Sequence, residues 1–208
     1  MTQSLIGYAY DARAEEYLAV AGEIDQMTPG DTELIAAWRD ATMGRLLDAG
    51  CGPGHWTRFL HDGGAAGHPR DVLGIDLSAA FIAHARELSP HVEFVEGSFA
   101  DLPLPDASIG GILAWYSLIH TPPSELPAVL AEFARVLAPG GSILIGFFDG
   151  TPREPFAHAI TTAYFWTTDA LAGPLEDAGF TITASESRPR VDGEVSSRPH
   201  GAVTAVRS

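Results

Sequence analysis

The stretch "LLDAGCGPGHW", Leu46 to Trp56, runs small and apolar residues around one acid into three glycines on alternate positions, Gly50, Gly52 and Gly54, before the chain turns helical. A buried strand that bends at once into a helix is the opening unit of an open parallel sheet, and in such sheets ligands collect beyond the carboxyl ends of the strands. Glycine lets backbone approach a ligand closely and permits positive φ. The turn is therefore expected to hold something: a phosphate, a dinucleotide, or a ligand with neither. The chain contains no lysine and no asparagine, and all twelve of its basic residues are arginine. That excludes the phosphate grip of a P-loop and any Schiff-base chemistry, both of which need a lysine. A dinucleotide fingerprint reads G-x-G-x-x-G; here the third glycine comes one position early and Asp48 precedes the loop.

Working outward, "YDARAEEYLAV" and "DTELIAAWRDA" place apolar residues at helical spacing, the second with Asp31 as a suitable N-cap, so two helices are expected before the first strand. After the glycine loop the chain alternates. "DVLGID", "HVEFVEG", "SIGGILAWYSL" and "SILIGFF" read as strands, and "GHWTRFLHD", "AAFIAHARELS" and "TPPSELPAVLAEFARVLAPGG" as helices, the last with Thr121 as its N-cap. The tail follows a different pattern. There a helix over "TTDALAGPLEDAGF" precedes two alternating strands, "TITASESRPR" and "GAVTAVRS", joined by the polar "VDGEVSSRPH". The prediction is an α/β, Rossmann-like fold with a seven-stranded, mostly parallel sheet, one antiparallel strand near its edge and helices on both faces.

At 208 residues, 46% of them hydrophobic, one domain is expected, with a core of full size. No apolar run is long enough to span a bilayer, and the first ten residues lack the pattern of a signal peptide, so a cytoplasmic location is expected. A net charge of -15 without a basic stripe argues against nucleic acid and anionic membranes as partners. Cys51, the single cysteine, excludes an internal disulfide framework. The histidines are scattered without paired ligand spacing, and no metal site is expected.

Asp76 ends the second strand, placed to accept hydrogen bonds from a ribose diol, which suits a nicotinamide dinucleotide or another nucleoside alike. After the third strand, Gly97, Ser98, Phe99 and Asp101 form a polar and aromatic edge able to seat an adenine. In order, "LLDAGCGPG", "VLGIDLS", "FVEGSFADLPLPDASIGGILAWYSLIH" and "RVLAPGGSILI" resemble the motifs of class I S-adenosylmethionine-dependent methyltransferases of the small bacterial, small-molecule type. The resemblance covers nearly the whole chain. It implies a single methyltransferase domain over 1–208, with a helical cover at 1–44, a cofactor-binding half at 45–149 and a substrate-side half with a C-terminal hairpin at 150–208. It also implies that Gly50, Cys51 and Gly52 lie against the methionyl part of S-adenosylmethionine, with Asp48 near its ammonium directly or through water. Asp76 then takes the ribose hydroxyls, Leu77 packs on the adenine, and Gly97, Ser98 and Phe99 border it. "YDARAEEY" resembles the tyrosine-bearing helix that precedes the family core, so Tyr10 or Tyr17 closes over the cofactor or else packs against the sheet.

The implied activity is methyl transfer to a small-molecule O, N, S or C acceptor, mainly by proximity and alignment, with the oligomeric state open. Trp115, Tyr116 and His120 follow the fourth strand. Trp115 is a cofactor wall or core residue, Tyr116 a catalytic candidate, and His120 either the base or a group that orders its loop. His158, Tyr164, Phe165 and Trp166 form a substrate lid or a sheet cover, and His200 faces the pocket or sits in a turn. "TPPS" lacks the ends of the motif used in adenine and glutamine methylation, and no cysteine outside the loop is free for cytosine chemistry, which leaves a small molecule. Two other classes stand beside this one: a noncatalytic S-adenosylmethionine-binding module acting through a partner, and a nicotinamide-dependent oxidoreductase.

Overall fold

The run "LLDA" is withdrawn from water throughout: in the computed structural model those four residues form β1, Leu46–Ala49, buried at every position in the centre of the main sheet. The structure describes residues 3–64, 68–190, 196 and 198–208. The sheet also contains β2 (Val72–Asp76), β3 (Glu93–Glu96), β4 (Ile109–Trp115), β5 (Leu137–Phe148), β8 (Phe180–Arg188) and β9 (His200–Arg207). Its order is β3-β2-β1-β4-β5-β9-β8. β1 pairs in parallel with β2 and β4, β2 with β3, and β4 with β5; β9 runs antiparallel between β5 and β8. The expected sheet, with its one reversed strand beside the edge, is present. The link between those last strands, residues 191–195 and 197, lies outside the described residues.

Side chains alternate across a strand, so β1 feeds two cores. Leu47 and Ala49 join a cluster with Phe133 of α6 (Leu126–Val136) and Leu171 and Leu175 of α7 (Thr168–Asp177). Leu46 faces the other way, onto Ile35 and Trp38 of α3 (Pro29–Ala41) and Trp56 and Leu60 of α4 (His55–Asp62). Each such side chain fully withdrawn from water contributes roughly 1.5–3 kcal/mol before the opposing entropy is counted. A third cluster sets Ile82 and Ala85 of α5 (Ala79–Leu88) against Phe94.

Several boundaries differ from expectation for local reasons. The predicted N-terminal helix is two, α1 (Gln3–Asp11) and α2 (Ala14–Ala21), broken at residues 12–13. Asp31 is not the cap of α3. Thr28 is, accepting from the Asp31 backbone N–H at 3.2 Å with Pro29 at the first helical position, while the Asp31 carboxylate pairs with Arg188 at 2.9 Å. Nor is α3 a cover: it lies on the sheet, with Trp38 Nε1–H donating to Ser142 Oγ at 3.0 Å. Thr121 closes a 3-10 turn, Leu118–His120, and α6 starts later, after Glu125. Between β5 and α7 an unanticipated small hairpin forms from β6 (Pro155–Ala157) and β7 (Thr162–Tyr164).

Candidate functional site

The carboxyl ends of β1, β2, β4 and β5 open onto a cavity of about 360 Å³, lined also by α1, α2 and the β6–β7 hairpin. That volume suits one small organic ligand. A second, wider hollow at the opposite ends of the strands is lined by Trp38, Thr42, Gly110 and Gly140 and, among the described residues, carries no charged or titratable group beyond Arg45.

The glycine loop forms the floor. Gly50 and Cys51 donate their N–H groups to the Ile75 carbonyl at 2.8 and 3.0 Å, and the Gly52 N–H donates to Asp76 Oδ2 at 2.8 Å. Gly50 and Gly52 have φ of +78° and +52°. A Cβ at Gly50 would lie 2.3 Å from Ser117 Cβ, whereas one at Gly52, which lines the cavity, would meet no atom within 4 Å. The Ser117 hydroxyl on the same wall is buried and has no hydrogen-bond partner among the described residues. The other oxygen of Asp76 accepts from Ser78 N–H at 2.8 Å; burial raises the carboxyl's pKa, against the pull of the backbone N–H groups of Ser78, Gly52 and Leu77.

Leu77, Phe99 and Trp115 line the cavity with Asp76; Asp48, Cys51, Gly97 and Ser98 do not. Asp48 shares the Leu46 face of β1 and points under the loop, where Thr57 Oγ1–H donates to it at 2.7 Å. Burial pushes its pKa up to about 7, opposed by that Thr57 bond. Cys51 packs behind the loop with Ile82 and Phe94, and burial there raises its thiol well above the ordinary range. Gly97 donates to the Asp76 carbonyl at 2.9 Å, and Ser98 Oγ accepts from Ala100 N–H at 2.9 Å.

Tyr10 and Tyr17 form the roof. Their rings lie 6.0 Å apart, and both pack on Phe81, at 5.7 and 5.1 Å. Burial raises both phenols, Tyr17 to about 12. Tyr10 also reaches across to His120, 3.0 Å from hydroxyl to Nε2, while His120 Nδ1 lies 2.8 Å from the Thr162 carbonyl. A carbonyl only accepts, so Nδ1 carries the proton, and Tyr10 donates to Nε2. Burial lowers the His120 pKa, opposed by the Thr162 bond.

Tyr116 holds a left-handed φ of +54°, rare for a bulky residue and typical of functional turns. Its ring packs on Phe148 at 5.0 Å, and its hydroxyl meets His200 Nδ1 at 2.5 Å. His158, His200 and Arg198 complete this wall. Of the expected lid residues only His158 reaches the cavity: Trp166 is core and Phe165 stacks on Phe156 at 4.2 Å. Arg198 and Phe81 had no sequence signal. Away from the cavity, His61, Asp62 and His91 bring ligand-type atoms within 4.8 Å of one another, although His61 Nδ1–H is already donated to Asp62 at 2.9 Å.

Residues 46–141 match the family model described as "Methyltransferase domain". Malonyl-[acyl-carrier protein] O-methyltransferase of Pectobacterium atrosepticum is 34% identical over 154 residues, which cover 71% of this chain and 57% of that protein. Demethylmenaquinone methyltransferase of Bacillus licheniformis is 32% identical over 118 residues, 51% of this chain and 49% of that one. The chain spans about half the length of the curated relatives it matches. Among solved structures, the [4+2]-cyclase SpnF superposes with a TM-score of 0.81 at 21% identity over 100% of this chain and 97% of that one. The Burkholderia thailandensis 1,6-didemethyltoxoflavin-N1-methyltransferase, solved with its namesake compound and S-adenosylhomocysteine, gives 0.71 at 24% identity over 97% and 89%.

Proposed function

Because residues 46–141 match the methyltransferase-domain family model and the described strands take the order β3-β2-β1-β4-β5-β9-β8, we propose that the protein transfers a methyl group from S-adenosylmethionine to a small-molecule acceptor. A shared fold also serves a cyclase, so the fold alone does not choose the reaction. The observation that carries the reading is the convergence of Gly52, Asp76, Leu77 and Phe99 on one cavity, in the order their motifs predicted.

The residues present fit the cofactor. Gly52 leaves open a cradle that a Cβ would fill, the Ser117 hydroxyl is a buried polar group awaiting a partner, and Asp76 keeps lone pairs for a ribose diol. In this reading Gly50, Gly52 and Ser117 hold the methionyl part, Leu77 and Phe99 flank the adenine, and Asp48 and Cys51 support the loop from below. Residues 45–149 thus carry the cofactor half and 150–208 most of the acceptor wall. The N-terminal cover is confined to residues 3–28.

When bound, S-adenosylmethionine supplies an electrophilic methyl on a positive sulfur. The chain's part is to align the acceptor and exclude water, worth roughly 7–11 kcal/mol of a barrier. The faces of Tyr10 and Tyr17 favour a nearby cation. His120, with both nitrogens engaged, fixes Tyr10 against the hairpin, while Tyr116 shapes the acceptor wall.

Calorimetry with S-adenosylhomocysteine tests the reading. Asp76→Ala removes a charge-assisted hydrogen bond of about 1.5–3 kcal/mol and should weaken binding roughly 10- to 150-fold. Preferential binding of a nicotinamide dinucleotide would overturn it. Tight cofactor binding with no turnover on a broad acceptor panel would turn the reading into that of a binding module.

A further inference from the structure

We infer that the acceptor is a small organic carboxylate whose charge seats between Arg198 and His158. This deepens the methyltransferase reading and rests on it for the word acceptor, although the anion site itself rests on geometry alone.

His158 sits at the turn of the small hairpin, between two carbonyls that arginines from distant parts of the chain hold. Arg198 Nη2–H donates to the Ala157 carbonyl at 3.0 Å, and Arg13 donates to that of Ala159. The two guanidinium groups are not equivalent. Arg13 is neutralised by Glu16 at 2.6 Å, whereas Arg198 has no carboxylate within ion-pair distance among the described residues. Arg198 lies over the Phe156 ring, 4.2 Å from its centroid, and is the one arginine lining the cavity among the described residues. In a chain of net charge -15, Arg198 is half-buried and carries no ion-paired carboxylate among the described residues, so its guanidinium is open to an anion from outside.

The acids of the cavity do not answer that need. Asp31 is taken by Arg188, Glu125 is exposed at the mouth, and Asp76 lies at the end of β2, with β1 and β4 between it and β5. His158 adds a donor of fixed sense: its Nδ1 accepts from Ile160 N–H at 3.4 Å, which leaves the proton on Nε2. Burial first, and then the charges of His120, Arg198 and Arg13, hold its pKa at about 4, so it offers a neutral N–H. Phe148, which lines the cavity, and Phe156, beneath Arg198, lie 6.1 and 6.4 Å from the imidazole and give this side of the site an apolar backing. A carboxylate bridging a guanidinium and an imidazole N–H has the strong, charge-assisted geometry that neutral acceptors lack.

The test titrates the S-adenosylhomocysteine-saturated protein calorimetrically with benzoate, phenylacetate and octanoate, each beside its primary amide. At least one acid should bind ten-fold or more tightly than its amide. Arg198→Gln should abolish that preference and Arg198→Lys should retain most of it, with S-adenosylhomocysteine titrations showing that each variant remains folded. Amides that bind as well as acids, a preference that survives Arg198→Gln, or no acid binding at all would overturn the proposal. If S-adenosylhomocysteine itself fails to bind the wild type, it is the methyltransferase reading that falls, and the acid-against-amide comparison on the free protein still decides the anion site.

Discussion

His120 commits both ring nitrogens to protein partners, donating to Thr162 and accepting from Tyr10, and of the two roles its position allowed that favours the one of ordering its loop. A base needs an open lone pair facing the acceptor's proton; here the lone pair is occupied by a phenol whose own pKa burial has raised. As an anchor, His120 acts through Tyr10. His120→Ala should therefore lower turnover and cofactor affinity together, and Tyr10→Phe should reproduce most of the loss. Measured as a double-mutant cycle, the two changes should be non-additive by about 0.5–3 kcal/mol. Turnover should show no inflection at the ordinary imidazole value, since burial moves the His120 pKa below it. A loss of ~10²–10⁴-fold in turnover with cofactor affinity intact would restore the base.

At the scale of elements, α1 is fitted to the ribose-side junction between β2 and α5. Asp11 accepts from Ser78 Oγ–H at 2.6 Å and Ala80 N–H at 3.1 Å, and Gly7 approaches so closely that a Cβ would lie 2.6 Å from the Leu77 carbonyl. Gly7→Ala should lift α1 from that junction at a cost of about 1–3 kcal/mol, weakening S-adenosylhomocysteine roughly 5- to 150-fold. Hydrogen exchange should show residues 5–26 gaining protection on cofactor binding in the wild type and much less in the variant. Equal protection in both would detach α1 from the site. The strands of the main sheet and the glycine loop were legible because buried strands and glycine turns are written locally, in apolar runs and in residues that tolerate positive φ. The small hairpin was not, because three-residue strands carry too little alternation to stand out. Asp48 shows the limit from the other side: its motif suggested a ligand contact, yet the two-residue period of β1 puts it with Leu46 on the α4 side, against Thr57. Arg198 and Arg13 meet the same turn from sequence positions far apart, which only tertiary structure brings together.

Across the whole molecule, two buried groups tilt stability with pH in opposite directions. His55 begins α4 with both ring nitrogens unpartnered among the described residues, and burial, then Arg58, lowers its pKa to about 4. Its folded pKa lies below the unfolded value near 6.5, so its contribution is fully present above that pH and drains away as pH falls toward 4. Asp48, raised to about 7, behaves inversely: its contribution is present below about pH 4 and is lost as pH rises to 7. Denaturant unfolding of the cofactor-free protein should find His55→Leu more stabilising at pH 5 than at pH 8 by about 2 kcal/mol. Asp48→Asn should show the opposite trend, gaining about 2–3 kcal/mol at pH 8 relative to pH 5. Flat differences across that range would refute the assignment. One further property comes with the cavity wall. Of the four indoles, Trp56 and Trp166 are enclosed by core, Trp38 borders the hollow at the opposite strand ends, and Trp115 alone borders this cavity, 5.3 Å from Tyr116 and 6.4 Å from Trp56. The protein thus carries its own lamp beside the binding site: a ligand that enters should change the brightness and colour of its near-ultraviolet emission, and occupancy can be followed in real time with no dye attached.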